Sequence, residues 1–386
     1  MKLEKSSFFV LIALTGGLAI LSSTMSKTPV LPLFAQSLGA SLAEIGWIVI
    51  ASTIPGILVS FPAGALSDFL GKRRVLLASL VVFATAPFLY LFVTNAWQLM
   101  AVRFYHGFAT AIFGTVASAA IAERYTTDRA ARLSTYSSVT IVGRSVAPFL
   151  GGFLISMASF GAVYIACAIS GVLALAAGMF IKDHEALPRG KLELPHYWQS
   201  MQTVLRNRGI MVVSLVEAAQ YLVFGAIEAF LALFAATIGI PAWQIGIILG
   251  VQLVSIVFMK PLMGKVSDRV GRKQVIIPGL ITGAASVALL PTLPNFIGLS
   301  ILSLVFGLGF ATVTSSTSAM VADLTRDGRF GSSMGVLRTV MDVGQSIGPV
   351  LTGWMVGAAG YGYAFNLLAV ILMLAALLLM LFARTA

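Results

Sequence analysis

The sequence predicts an all-α integral membrane protein of twelve transmembrane helices, arranged as two six-helix halves related by a pseudo-two-fold axis. Three observations carry that prediction. Hydrophobic residues make up 58% of the 386-residue chain and charged residues only 10%, whereas a soluble domain carries roughly 25% charged residues. Apolar runs of about 18 residues or more, enough to cross a bilayer, recur along the whole length, and the mean hydropathy is +0.96. Finally, segment 31–48 returns as 231–248, identical at Leu31, Leu33, Phe34, Ala35, Gly39, Ile45, Gly46 and Ile48, which a chance match of biased composition does not explain. Parallel repeats of this kind are related by an axis along the membrane normal.

The spans are expected near 8–36, 43–65, 75–93, 97–122, 132–157 and 160–182 in the first half. In the second they fall near 210–238, 243–265, 275–293, 295–322, 331–357 and 361–382. The first run follows Lys2 and Lys5 like a signal peptide but continues past Pro29 and Pro32 without a cleavage site, so it is read as an uncleaved span. The longest polar stretch, 183–209, divides a half at 1–182 from a half at 210–386 and reads as a cytoplasmic linker. The echo also continues at Ala122-Glu123 with Ala322-Asp323, and at Gly107-Phe108-Ala109-Thr110 with Gly309-Phe310-Ala311-Thr312.

A net charge of +11 would suggest nucleic acid in a soluble protein, but here position matters more than sum. Of the 25 Lys and Arg, 20 fall in the termini and alternate joints, five within spans and none in the remaining loops. The positive-inside rule then puts both termini in the cytoplasm, with the chain in the cytoplasmic membrane. Clusters at Arg124, Arg129 and Arg132 and at Arg326 and Arg329 read as topology signals meeting anionic lipid. The single Cys167 excludes an intramolecular disulfide, and His106, His184 and His196 have no metal-ligand spacing, so neither metal nor cofactor is expected.

Two copies of a charged turn stand 200 positions apart: Gly64-Ala65-Leu66-Ser67-Asp68-Phe69-Leu70-Gly71-Lys72-Arg73-Arg74 and Gly264-Lys265-Val266-Ser267-Asp268-Arg269-Val270-Gly271-Arg272-Lys273-Gln274. They resemble the loop signature of the major facilitator superfamily, G-x-x-x-D-x-x-G-[RK]-[RK], and the resemblance covers essentially the whole chain. Asp68 is placed to cap a neighbouring helix and pair with an Arg, while Gly64 and Gly71 allow close approach and a tight turn. The resemblance implies a cytoplasmic gate that holds in one conformer and breaks in the other.

Two further motifs follow. Gly143-Arg144-Ser145-Val146-Ala147-Pro148-Phe149-Leu150-Gly151-Gly152 resembles the fifth-helix signature G-x-x-x-G-P-x-x-G-G of twelve-helix drug:proton antiporters, with Ala147 at its central glycine. The second half answers with Gly344-Gln345-Ser346-Ile347-Gly348-Pro349-Val350-Leu351-Thr352-Gly353, so the motif also reads as a duplicated packing device that bends a helix. Arg103, in Leu99-Met100-Ala101-Val102-Arg103-Phe104-Tyr105-His106-Gly107, resembles the fourth-helix motif L-x-x-x-R-x-x-x-G. In proton-coupled relatives that arginine is thought to tune a proton site; bonding to carbonyls of a neighbouring helix is the structural alternative.

Ionisable groups within the spans are candidates for function because lipid disfavours them: Lys27, Arg103, Arg144, Lys260, Arg338, Glu217, Glu228 and Asp342. Lys260, beside Pro261 near a span end, is expected to snorkel to the headgroups. Glu217 and Glu228 are eleven residues apart, about three helical turns, so they share a face with Tyr221 and Phe224. Either carboxyl is a candidate for proton coupling. Arg338 and Asp342 have the i, i+4 spacing of an intrahelical ion pair. Arg144, at mid-span, would attract an anionic substrate or a carboxylate. Under the repeat offset Lys27 and Glu228 occupy nearly equal depths on the first helices of the two halves, and a charge pair is expected. Exchanging the charges, Lys27→Glu with Glu228→Lys, should recover part of the transport lost in each single variant; a double variant no better than either single one excludes the pair.

The chain shows no nucleophile and base constellation, P-loop or pore filter, so the expectation is a carrier and not an enzyme, pump or channel. The resemblance implies export of small lipophilic compounds in exchange for protons, by alternating access. An anionic metabolite is the alternative solute, suited by Lys27, Arg103 and Arg144, and a non-transporting membrane receptor is the remaining one. The expected partners are a small-molecule solute, protons and the lipid bilayer, with no nucleic acid and a monomeric chain.

Overall fold

The computed structural model describes residues 2–56, 58–59, 67, 70–125, 128–181, 204–325 and 330–382, which form helices and short turns with no strand among them. Gly64 and Asp68, His184 and His196, Arg326 and Arg329, and the linker as far as residue 203 lie outside the described residues. Two compact units are separable, Met1–Arg189 with Pro241–Gly246, and Gly190–Ile240 with Ile247–Ala386.

The first unit contains α1 (Lys2–Met25), α2 (Val30–Ser37), α3 (Leu42–Ile50), α4 (Lys72–Leu89), α5 (Ala96–Arg124), α6 (Arg129–Met157) and α7 (Phe160–Met179). The first span, expected as one helix, is interrupted between α1 and α2 at residues 26–29. Pro29 has no N–H to continue the ladder, so the chain leaves the helix and restarts at Val30. A capping box starts α3: the Glu44 N–H donates to Ser41 Oγ, and the Ser41 N–H donates to Glu44 Oε2 at 2.8 Å. Phe9, Ile12, Leu80, Phe83, Phe113, Val116 and Ile121 fill the interior between α1, α4 and α5. Lipid tails are as apolar as these side chains, so close packing must hold the helices together. Gly171 on α7 accordingly lies against the Phe83 carbonyl of α4, where a side chain would collide with backbone.

The second unit contains α8 (Arg208–Thr237), most of α9 (Ala242–Val270), α10 (Arg272–Leu289), α11 (Phe296–Leu324) and α12 (Phe330–Phe382). Gly360, at φ 81 and ψ 171, breaks α12 into the eleventh and twelfth spans. The 200-residue echo is visible as geometry. Gly71 and Gly271 both take positive φ, 90 and 106, at the ends of the basic turns. Asn95 caps α5 by accepting from the Gln98 N–H at 3.0 Å, and Asn295 caps α11 by accepting from the Gly298 N–H at 2.8 Å.

Among the described residues ten segments are long and apolar enough to cross a membrane. One of them, Ser333–Leu381, holds two crossings divided at Gly360, and the shorter apolar helix Leu42–Gly56 lies where the second span is expected. Large apolar side chains such as Phe92, Trp97, Phe180 and Phe258 are exposed, as lipid-facing residues must be. The chain is a multi-pass membrane protein.

Candidate functional site

The two basic turns are clasped in the same way within their own units. In the first, Lys72 Nζ pairs with Glu123 Oε2 at 2.7 Å, and Arg73 donates to the carbonyls of Ile181 at 2.6 Å and Met179 at 3.0 Å. In the second, Arg272 Nε pairs with Asp323 Oδ2 at 2.8 Å, and Lys273 Nζ donates to the Met380 carbonyl at 2.9 Å. Arg272 is also bound by Asp268, one helical turn away, and reaches Ser267 Oγ at 3.3 Å. The first cation of each turn thus closes onto the acid that ends the next span, and the second satisfies carbonyls near the end of the sixth or twelfth span. Carbonyls at the end of a helix lack intrahelical partners in general, and a cation complements the helix dipole there. Glu123 and Asp323 are partners that motif reading passed over; their appearance at the same 200-residue offset was the available signal.

Both copies of the proline-containing motif pack on the first span of their own unit. Gly143 lies against the Gly17 carbonyl, and Gly344 lies against the Ala218 carbonyl. Gly348 meets the Leu222 carbonyl, while the corresponding Ala147 is fully buried. Pro148 and Pro349 occupy the interiors of α6 and α12. Gly152 packs against Ala242 and Gly246, Gly246 packs against the Pro148 carbonyl, and the Trp243 N–H donates to Ser156 Oγ at 2.9 Å. That close glycine contact explains why residues 241–246 group with the first unit. Because both copies act through backbone approach, the motif accounts for helix packing without reference to a solute.

Arg103 lies inside the first unit and is only 3% exposed. It donates to Ser52 Oγ at 2.6 Å and more weakly to Tyr90 Oη at 3.5 Å. Gly107, one turn on, makes this possible: any side chain there would strike the backbone of Ser52, so its absence lets α5 approach. The spacing R-x-x-x-G therefore has a local physical reason. Tyr90 Oη also lies 3.3 Å from His106 Nδ1, and its ring stacks on Tyr164 with centroids 4.3 Å apart.

Glu217 on α8 is 2% exposed, and Thr317 Oγ1 on α11 donates to its carboxylate. The charge of Lys260 on α9 acts on Glu217, a relation across 43 residues that sequence spacing could not reveal. Gln220, one turn along α8, is fully buried, and both its amide atoms lack a hydrogen-bond partner among the described residues, as do Ser214 Oγ and Thr314 Oγ1. Further along the same face Tyr221 and Phe224 pack on Phe310 of α11, with centroids 5.0 and 4.5 Å away. A polar stretch and an aromatic one therefore adjoin on α8.

Lys27 is half-buried in the break between α1 and α2, and Glu228 is half-buried on α8 in the other unit. Arg144 is exposed. Arg338 is exposed and acts on the half-buried Asp342 electrostatically, without the close ion pair their spacing permits.

The family model described as Major Facilitator Superfamily matches residues 12–251 and 213–386. An uncharacterized MFS-type transporter of Methanocaldococcus jannaschii is 24% identical over 378 residues, covering 96% of each chain. Multidrug resistance protein MdtG of Proteus mirabilis is 24% identical over 347 residues, covering 87% of this chain and 85% of the relative. Among solved structures, that of the nucleoside transporter NupG superposes with a TM-score of 0.80 at 15% identity, covering 98% of this chain and all of the other.

Proposed function

Because the chain belongs to the major facilitator superfamily, whose members are transporters and not enzymes, we propose that it exports small lipophilic compounds in exchange for protons, with Glu217 taking up and releasing the proton. The observation that carries this reading is the placement of one buried carboxyl beside a hydroxyl donor and an aromatic wall on a single face of α8. An ionised carboxylate is costly in such a setting, and a neutral one is not, so a proton is the natural partner for the site. Tyr221, Phe224 and Phe310 supply apolar contact for a lipophilic solute. The multidrug relative agrees with that solute class. The distribution of Lys and Arg supports a cytoplasmic membrane location with both termini inside, and the transporter is taken to work as a monomer by alternating access.

An anionic metabolite is the second reading, favoured by exposed Arg144 and by Lys27 at a break in the first span. Flux in proteoliposomes separates the two. With the intravesicular side made acidic, a fluorescent lipophilic cation should accumulate and then leak when the gradient is collapsed. Cation flux indifferent to the gradient removes proton coupling, and accumulation of an organic anion in its place selects the second reading.

A further inference from the structure

The polar cluster around Arg103 has more donors than acceptors and a charge that nothing described nearby balances. Arg103, Tyr90, His106 and Tyr164 are each at most 3% exposed. Among the described residues no carboxylate meets the guanidinium; its partners are the neutral hydroxyls of Ser52 and Tyr90. A buried cation without an opposite charge is among the costliest arrangements a protein interior can hold.

The hydrogen bonds fix what is left over. Tyr90 Oη accepts from Arg103, so its own proton is available for His106 Nδ1, and the imidazole then carries its hydrogen on Nε2. Three donors remain without a partner among the described residues: Arg103 Nε, His106 Nε2 and the Tyr164 hydroxyl. They belong to one neighbourhood, because Tyr164 stacks on Tyr90 and the Arg103 charge acts on Tyr90, His106 and Tyr164. The set therefore offers one positive charge and three neighbouring N–H or O–H donors without partners, enclosed away from the surface. A water molecule would satisfy the donors and leave the charge uncompensated, and an organic anion is too large for so enclosed a position.

We propose that the Arg103, His106 and Tyr164 cluster in the interior of the first unit is a binding site for a small inorganic monovalent anion, chloride. The ion neutralises Arg103 and ties α5 and α7 together, a structural role distinct from solute transport. The site requires no particular solute, so it stands whatever the protein carries.

Thermal unfolding of the full-length protein in detergent tests it, with sodium chloride replaced stepwise by sodium gluconate at fixed pH and ionic strength. The expected result is a saturable rise in Tm of about 2 °C or more with chloride, reproduced by bromide. Tyr164→Phe removes one donor and keeps the stacked ring, and should weaken the apparent chloride affinity about tenfold. Arg103→Met should abolish the response. Should that variant fail to fold, chloride-35 line broadening by the wild-type protein, reduced in Tyr164→Phe, gives the same decision. A Tm indifferent to the anion, or a chloride response unchanged in Tyr164→Phe, overturns the proposal.

Discussion

Replacing Glu217 by Gln should reduce pH-gradient-driven flux by about 100-fold or more, the scale associated with losing a positioned proton-transfer group. The amide preserves size and can still accept from Thr317, so the polar contact between α8 and α11 survives while the titrating proton is lost. Solute binding, measured by ligand-induced thermal shift, should stay within about twofold of wild type, because the aromatic wall of Tyr221, Phe224 and Phe310 is untouched. Glu217→Asp should retain part of the flux, since it keeps the acid but draws it back from α11. Gradient-driven flux in Glu217→Gln within about twofold of wild type would sink the assignment of Glu217 as the proton carrier.

The second large effect is steric. Gly348→Leu should strip the protein of its folded state in the membrane, read as loss of monodisperse material and of ligand-free cooperative unfolding. A first side-chain carbon at this position already meets the Leu222 carbonyl and the Ala226 nitrogen, both backbone atoms that cannot rotate aside. Overpacking of even flexible cores costs about 1–3 kcal/mol, and here α8 and α12 must separate along their length. Gly348→Ala should be milder, because the first unit holds an alanine, Ala147, at the corresponding place. Normal yield and Tm in Gly348→Leu would mean that α8 and α12 do not approach as described.

Much of the architecture was legible because it was written twice. The basic turns, the proline motifs and the paired runs at 31–48 and 231–248 are recognisable from residue identity alone, and a bilayer forces their apolar runs to be helices. The break at Pro29 was visible too, but the surrounding apolar run outweighed it in a reading by hydropathy. Legibility fails where a contact joins unrelated positions. Nothing in the spacing of Glu217 and Thr317 announces that they meet, and the i, i+4 pattern of Arg338 and Asp342 announced a pair that the side chains do not close. Glu123 and Asp323 lie between these extremes: their repetition was apparent, their job was not.

The clasp of the first turn has a consequence for biogenesis. Its bonds run from Lys72 to Glu123 and from Arg73 to Met179 and Ile181, so every atom they need has been synthesised before α8 leaves the ribosome. The nascent first half can neutralise its own basic turn, secure the end of α7 and settle in the bilayer while the second half is still being made. A polypeptide this apolar is most vulnerable to aggregation during that interval, and a half-sized clasp that closes early shortens it.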